Sequence, residues 1–355
     1  MTFRHISLLR SLCLLGVIGV HCMLFFATPF LFWKLYAPTP VAWVDAVAGL
    51  AGQTLVPSFI FASGFTFAKT LAAGDRTRTQ ILSGRARRLL LPWLAMALFW
   101  LAPLYTLFDI PAHMRPAGSS LAATYQAALL GVFVDHLWFL LALFWTTLFW
   151  WLVHPWLRGK SLVWGALLAL GAALLAQRYG AWLPWYCLGQ TANPIICFFV
   201  GMAAFQRRQR LDALLRRRPL LVGAALAAAI LLLTPHAPGQ PALSWLVSVL
   251  CCLAAYLACL LGAEPYHARL RAWRAYAWLE DNGYRMYLFH MPIPLLGFMW
   301  LHPRLGLPPL GFILLDFAIT LAVTALLVMG SRRIEPGLKR VLASLSNPMA
   351  TKEPR

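Results

Sequence analysis

Apolar runs long enough to cross a lipid bilayer recur along this chain from residue 9 to residue 330, and no other feature limits its fold as strongly. A spanning helix needs about 20 mostly apolar residues, within a range of about 17–25. Ten stretches meet that need: 9–30, 44–71, 89–108, 136–157, 161–178, 190–206, 219–234, 243–262, 284–301 and 309–330. In hydrocarbon every backbone amide and carbonyl must find a partner within the protein, so such runs fold as helices. Composition agrees. Of 355 residues, 61% are hydrophobic and 12% charged, against about 45–50% and about 25% in a soluble domain. The expected fold class is an all-α, polytopic integral membrane protein with about ten transmembrane helices. A soluble enzyme, a disordered chain and a secreted disulfide scaffold are disfavoured together.

The net charge of +19 raises the question of nucleic acid, but its distribution points to topology and not to a nucleic-acid partner. With the N-terminus placed in the cytoplasm and the spans alternating, the cytoplasmic side receives Arg4, Arg10, the Arg76–Arg88 loop, Arg158, Lys160, the Arg207–Arg218 loop, Arg269–Arg274 and the residues from Arg332 onward. The outer side keeps Lys34, Arg115, Arg178 and Arg304. The positive-inside rule therefore predicts both termini in the cytoplasm. Residues 1–28 resemble a signal peptide, but the run is long and many spans follow, so it reads as the first span. The segment 121–134 is apolar but short, and is expected to be re-entrant or to lie at the surface. Pro57 and Gly64 allow a break inside 44–71. Residues 1–330 form one membrane domain on this reading, and 331–355 a short cytoplasmic tail.

Ionisable side chains inside a bilayer are costly, which makes each a functional candidate. His21 lies deep in the first span, His136 opens the fourth, His290 lies in the ninth and Asp316 in the tenth. Arg10 and His21 are eleven residues apart, about 20° short of a whole number of helical turns, so they share a face about 16 Å apart along the axis. Arg10 could equally be a topology anchor and His21 a hydrogen-bonded core histidine. Arg85, Arg87 and Arg88 stand before the third span, where guanidiniums can clamp phosphates, mark topology, or bind lipid headgroups.

Asp135-His136-Leu137-Trp138 opens the fourth span at its outer end, and Trp138 suits an interfacial belt. Tyr287 and His290 are neighbours on one helical face, ahead of Pro292 and Pro294, which would kink the helix and free carbonyls toward a polar cavity. Ser63-Gly64 suits close helix packing. Cys13, Cys22, Cys197, Cys251, Cys252 and Cys259 lie in apolar runs as small hydrophobes. With no His-Glu-x-x-His, Cys-x-x-Cys, P-loop or Gly-x-Ser-x-Gly in the chain, a metal site and the common hydrolase chemistries are not expected.

Taken in order, Arg10 with His21, Phe61-Ala-Ser63-Gly64-Phe65, Arg85-Ala-Arg-Arg88, His136-Leu-Trp-Phe-Leu and Tyr287-Leu-Phe-His290-Met-Pro292 resemble the membrane-bound acyltransferase 3 family, and sugar O-acetylases within it. The resemblance implies transfer of an acyl group, often acetyl, from acyl-coenzyme A to a sugar or other cell-envelope acceptor, with no metal, in the plasma membrane (the inner membrane of a bacterium).

It implies His21 as the catalytic residue, with Arg10 beside it. Arg85 and Arg88 would hold coenzyme A phosphates. His136, Trp138, Tyr287 and His290 would bound the acceptor path, with Trp138 stacking on a sugar ring. One departure is that Ser7-Leu8-Leu9 stands where many members have an acidic residue before the arginine. Another is that the hydrolase-like domain fused to some members is absent. Direct attack by the acceptor hydroxyl is the expected route, with His21 as general base; an acyl-enzyme on His21 or Ser63 is the alternative. A transporter or flippase of a polar or lipid-linked substrate is the competing class, and a non-catalytic partner in polysaccharide export a third.

Overall fold

The computed structural model describes residues 3–28, 37, 40–111, 118–131, 135–180 and 185–346. Lys34 and Arg115, two of the charges expected on the outer side, lie outside these residues. Among the described residues there is no strand. The helices run α1 (Arg4–Met23), α2 (Ala42–Ala73), α3 (Arg78–Met96), α4 (Ala102–Leu107), α5 (Leu121–Leu129), α6 (Trp138–Leu157), α7 (Leu162–Tyr179) and α8 (Ala192–Gln206). They continue as α9 (Arg208–Arg217), α10 (Pro219–Leu233), α11 (Pro241–Ala272), α12 (Arg274–Phe289), α13 (Ile293–Trp300), α14 (His302–Leu305) and α15 (Pro309–Ser346). Among the described residues nine helical segments are long and apolar enough to cross a membrane.

Several differences from the expected spans have local causes. The stretch 284–301 is two helices, α12 and α13, interrupted at His290–Pro292. Pro292 lacks an amide hydrogen and disfavours helical geometry in Met291 before it. The stretch 44–71 does not break: α2 runs unbroken through Pro57 and Gly64, packed against α1, α8 and α11, as membrane helices with supporting neighbours allow. It ends at Gly74, whose φ of 70° closes the helix in the left-handed region.

The third span begins earlier than hydropathy suggests. Thr77 and Gln80 form a reciprocal capping box, which carries Arg85 and Arg88 into the helix. That span passes through a π-turn over Ala97–Leu101 into α4, just where Pro103 cannot supply an amide. The segment 121–134 contains only the nine-residue α5, and its residues 132–134 lie outside the described ones. α15 continues past residue 330 to Ser346.

α1 is the central element, touching α2, α11, α12, α13 and α15. The most extensive pairing among the described helices joins α2 to α8. At their crossing Gly64 faces the Phe198 carbonyl and Gly201 faces the Phe61 carbonyl, so the small residue of the Ser63-Gly64 pair lets two backbones meet. α10 has no buried residue and forms the rim.

Candidate functional site

Three imidazoles converge where α1, the start of α6 and the break after α12 meet. Nδ1 of His21 lies 2.8 Å from Nε2 of His290. His136 stands edge-on to His290 at 4.7 Å between ring centroids, and to Tyr287 at 5.2 Å. The Tyr287 hydroxyl donates to the His136 carbonyl, tying α12 to the start of α6. His290 is wholly buried and His136 nearly so, while His21 is half-buried. Backbone of Tyr287 and Leu288 runs beside the His136 ring, yet neither of its ring nitrogens makes a hydrogen bond of normal geometry. Although three histidines meet, no group of three or more metal-ligating side chains among the described residues is placed to hold an ion.

A cavity of about 590 Å³ opens beside this cluster. Its lining includes Arg10, Arg76, Arg85 and Arg88, together with the hydroxyl-bearing Ser63, Thr66 and Thr70. Aromatic rings hold two of the guanidiniums: Arg10 lies 5.5 Å over Phe59 and Arg85 5.6 Å over Phe67. Arg85 also donates to the Ser63 carbonyl at 3.4 Å, and the Tyr284 hydroxyl donates to the Arg88 carbonyl at 2.5 Å. Arg10, Arg85 and Arg88 stand within electrostatic reach of one another. Among the described residues no carboxylate lies at ion-pair distance from any of the three. Like charges held together without an ion-paired carboxylate favour an anion, and guanidiniums suit phosphate.

Glu280 and Asp281 line the same cavity. Glu280 accepts from the Ser7 hydroxyl, lies 3.4 Å from His267 Nε2, and pairs with Arg271 at 3.3 Å. Ser7 occupies the turn of α1 before Arg10, where the helix has no acidic side chain of its own. Here a carboxylate reaches that turn from α12 instead. Sequence reasoning missed Glu280, because its approach to α1 spans 273 residues of chain.

The structure brings Arg10, Arg85, Arg88 and Tyr287 to one cavity, and His21, His136 and His290 to one cluster that Tyr287 joins to it. The empty space does not reach His21. Its innermost α1 residue is Leu14, on the same helical face as His21 and about 10 Å short of it along the axis. Trp138 lies outside the cavity lining, half-buried, with its ring against Phe139 at 6.3 Å. The Asp135 side chain is outside the described structure. Ser63 lines the cavity, but its hydroxyl donates to the Phe59 carbonyl at 3.0 Å. Asp316 is buried beside the Cys22 thiol, and among the described residues neither carboxylate oxygen makes a hydrogen bond of normal geometry. It sits so close to Gly297 that a Cβ added there would fall 2.1 Å from Oδ1.

These features define the protein as an integral membrane helix bundle with a phosphate-compatible cavity leading toward buried histidines. The chain belongs to the acyltransferase 3 family: the family model, described as an acyltransferase domain, matches residues 3–329. No curated protein and no solved structure matches it. Membership carries acyltransferase activity in general terms.

Proposed function

We propose that this protein moves an acyl group, acetyl above all, from cytoplasmic acyl-coenzyme A to a hydroxyl of a glycan or another cell-envelope acceptor. The observation that carries the reading is the cavity in which Arg10, Arg85 and Arg88 stand together without a carboxylate partner, on the side of the histidine cluster that the positive-inside rule places in the cytoplasm. A phosphate-bearing donor neutralises that charge. On this reading the protein sits in the plasma membrane, the inner membrane of a bacterium, with both termini in the cytoplasm.

The donor's phosphates lie against the arginines, and its pantetheine arm follows α1 past Leu14. Because the space closes before His21, the arm must part the side chains at the inner end, with Tyr287 and Phe139 among them. His21 then removes the acceptor's hydroxyl proton as the oxygen attacks the thioester carbonyl carbon. The C–S bond breaks, and the imidazolium returns the proton to the departing thiolate. Ser63 is a poor acyl carrier because its hydroxyl is bonded to its own helix, which favours direct transfer. His136 and Trp138 border the acceptor's approach from the outer side.

The test uses the purified protein in liposomes with radiolabelled acetyl-coenzyme A, together with mass spectrometry of envelope glycans from a deletion strain. His21→Ala should fold as wild type and lose transfer, and the deletion strain should lack one acetyl increment. Transfer at the wild-type rate by His21→Ala would remove the base assignment. Solute movement without coenzyme A dependence would favour the transporter class.

A further inference from the structure

The end of α12 determines where the hydrogens sit on the histidine pair. Pro292 stops the helix at Phe289, so the carbonyls of its last turn no longer meet the amides that an unbroken helix would offer. Tyr287 belongs to that turn, and Nδ1 of His290 lies 2.7 Å from its carbonyl oxygen. A carbonyl oxygen only accepts, so Nδ1 of His290 carries a hydrogen.

His290 is fully buried and makes no ion pair among the described residues, conditions under which an imidazole stays neutral. Its other nitrogen, Nε2, then holds a lone pair. That lone pair faces Nδ1 of His21 at 2.8 Å. Two unprotonated nitrogens would repel at this distance, so His21 brings the hydrogen. The ring planes differ by only 3° and the centroids are 5.0 Å apart. With nitrogens at 2.8 Å, the rings meet edge to edge in nearly one plane, the arrangement that points an N–H along an in-plane lone pair.

We propose that His290 is the positioning residue that sets the tautomer of His21. The Tyr287 carbonyl holds His290 with its hydrogen on Nδ1, His290 Nε2 accepts from His21 Nδ1, and His21 Nε2 is left as the nitrogen with the lone pair. What that lone pair does rests on the acyl-transfer reading: it takes the acceptor's proton, and His290 then stabilises the imidazolium through the same Nδ1 hydrogen bond. The tautomer itself is a property of the resting protein. The proposal gives His290 an orienting role in place of the acceptor contact expected from sequence, and it gives the break before Pro292 a purpose in the site.

The test is ¹⁵N NMR of histidine-labelled full-length protein in nanodiscs at neutral pH, with signals assigned by replacing one histidine at a time. Both His21 and His290 should show a protonated Nδ1 and an unprotonated Nε2, with scalar coupling across the His21–His290 hydrogen bond. His290→Phe keeps the ring's bulk and removes the acceptor. It should abolish the single-tautomer signal of His21 and lower kcat by about 10²-fold or more, with the Michaelis constant for the donor unchanged. His290→Gln supplies an amide oxygen near the former Nε2 and should recover much of both readouts.

A wild-type His21 protonated on Nε2 overturns the proposal, and so does a His290→Phe protein with unchanged His21 signals and wild-type kcat. The wild-type spectrum decides the tautomer without turnover. A protein found to transfer no acyl group would therefore defeat the proposed function while the spectrum still judged the histidine pair.

Discussion

Gly64→Ala should loosen the crossing of α2 and α8. A Cβ built on Gly64 falls 2.0 Å from the Phe198 carbonyl oxygen and 2.8 Å from its carbon, whereas ordinary contact begins at 3.4 Å. The shortfall to the oxygen is about 1.4 Å, and the obstructing atoms belong to a helix backbone that cannot swing aside as a side chain would. α2 and α8 must separate, and a gap of about 0.5–1 Å already forfeits a quarter to a half of each dispersion contact along a crossing. Overpacking usually costs about 1–3 kcal/mol, and this geometry places the change at the upper end.

Gly201→Ala meets the Phe61 oxygen, also at 2.0 Å, and should cost as much. The double variant should cost less than the sum, since one separation accommodates both methyls. Gly49→Ala and Gly52→Ala in the same helix are the controls, because nothing lies within 4 Å of either added carbon. The assay is equilibrium unfolding in mixed micelles, read by tryptophan fluorescence, with donor kinetics measured alongside. Separation also moves the Ser63 carbonyl that anchors Arg85, so the Michaelis constant for the donor should rise. A Gly64→Ala protein within about 0.5 kcal/mol of Gly52→Ala would refute the close crossing.

Arg85→Lys keeps the charge but loses the planar fork, and should raise the Michaelis constant for acyl-coenzyme A severalfold while leaving kcat near wild type; steady-state kinetics at two ionic strengths check it, the effect of Arg85→Ala shrinking at high salt. Glu280→Gln should destabilise the end of the bundle at which α1 begins by about 1–3 kcal/mol, because Ser7, His267 and Arg271 all converge on this carboxylate. Arg271→Gln should cost under about 1 kcal/mol, its side chain being half exposed, and thermal unfolding separates the two. Ser248→Ala should cost about 0.6–2 kcal/mol, since that hydroxyl donates to Gln53 and accepts from Asn193 within the bundle; the same unfolding assay measures it.

The sequence by itself determined the kind of molecule this is. Whether a run of residues can sit in hydrocarbon is a local property, so the apolar stretches located nearly every long helix of the bundle. Local geometry also put Arg10 and His21 on one face of α1, and Pro292 with Pro294 predicted a kink within 284–301. The same reasoning left a break in α2 open, and the structure closes it: Pro57 stays inside a helix supported by α1, α8 and α11.

Tertiary structure alone decided which distant groups meet. His21 and His290 are 269 residues apart and Ser7 and Glu280 273 apart, and no periodicity along one helix records the register of another against it. That register comes from close packing at points such as Gly64 and Gly201. Packing also decided that the cavity ends near Leu14 and not at His21, because the volume left between helices depends on side chains from several of them at once.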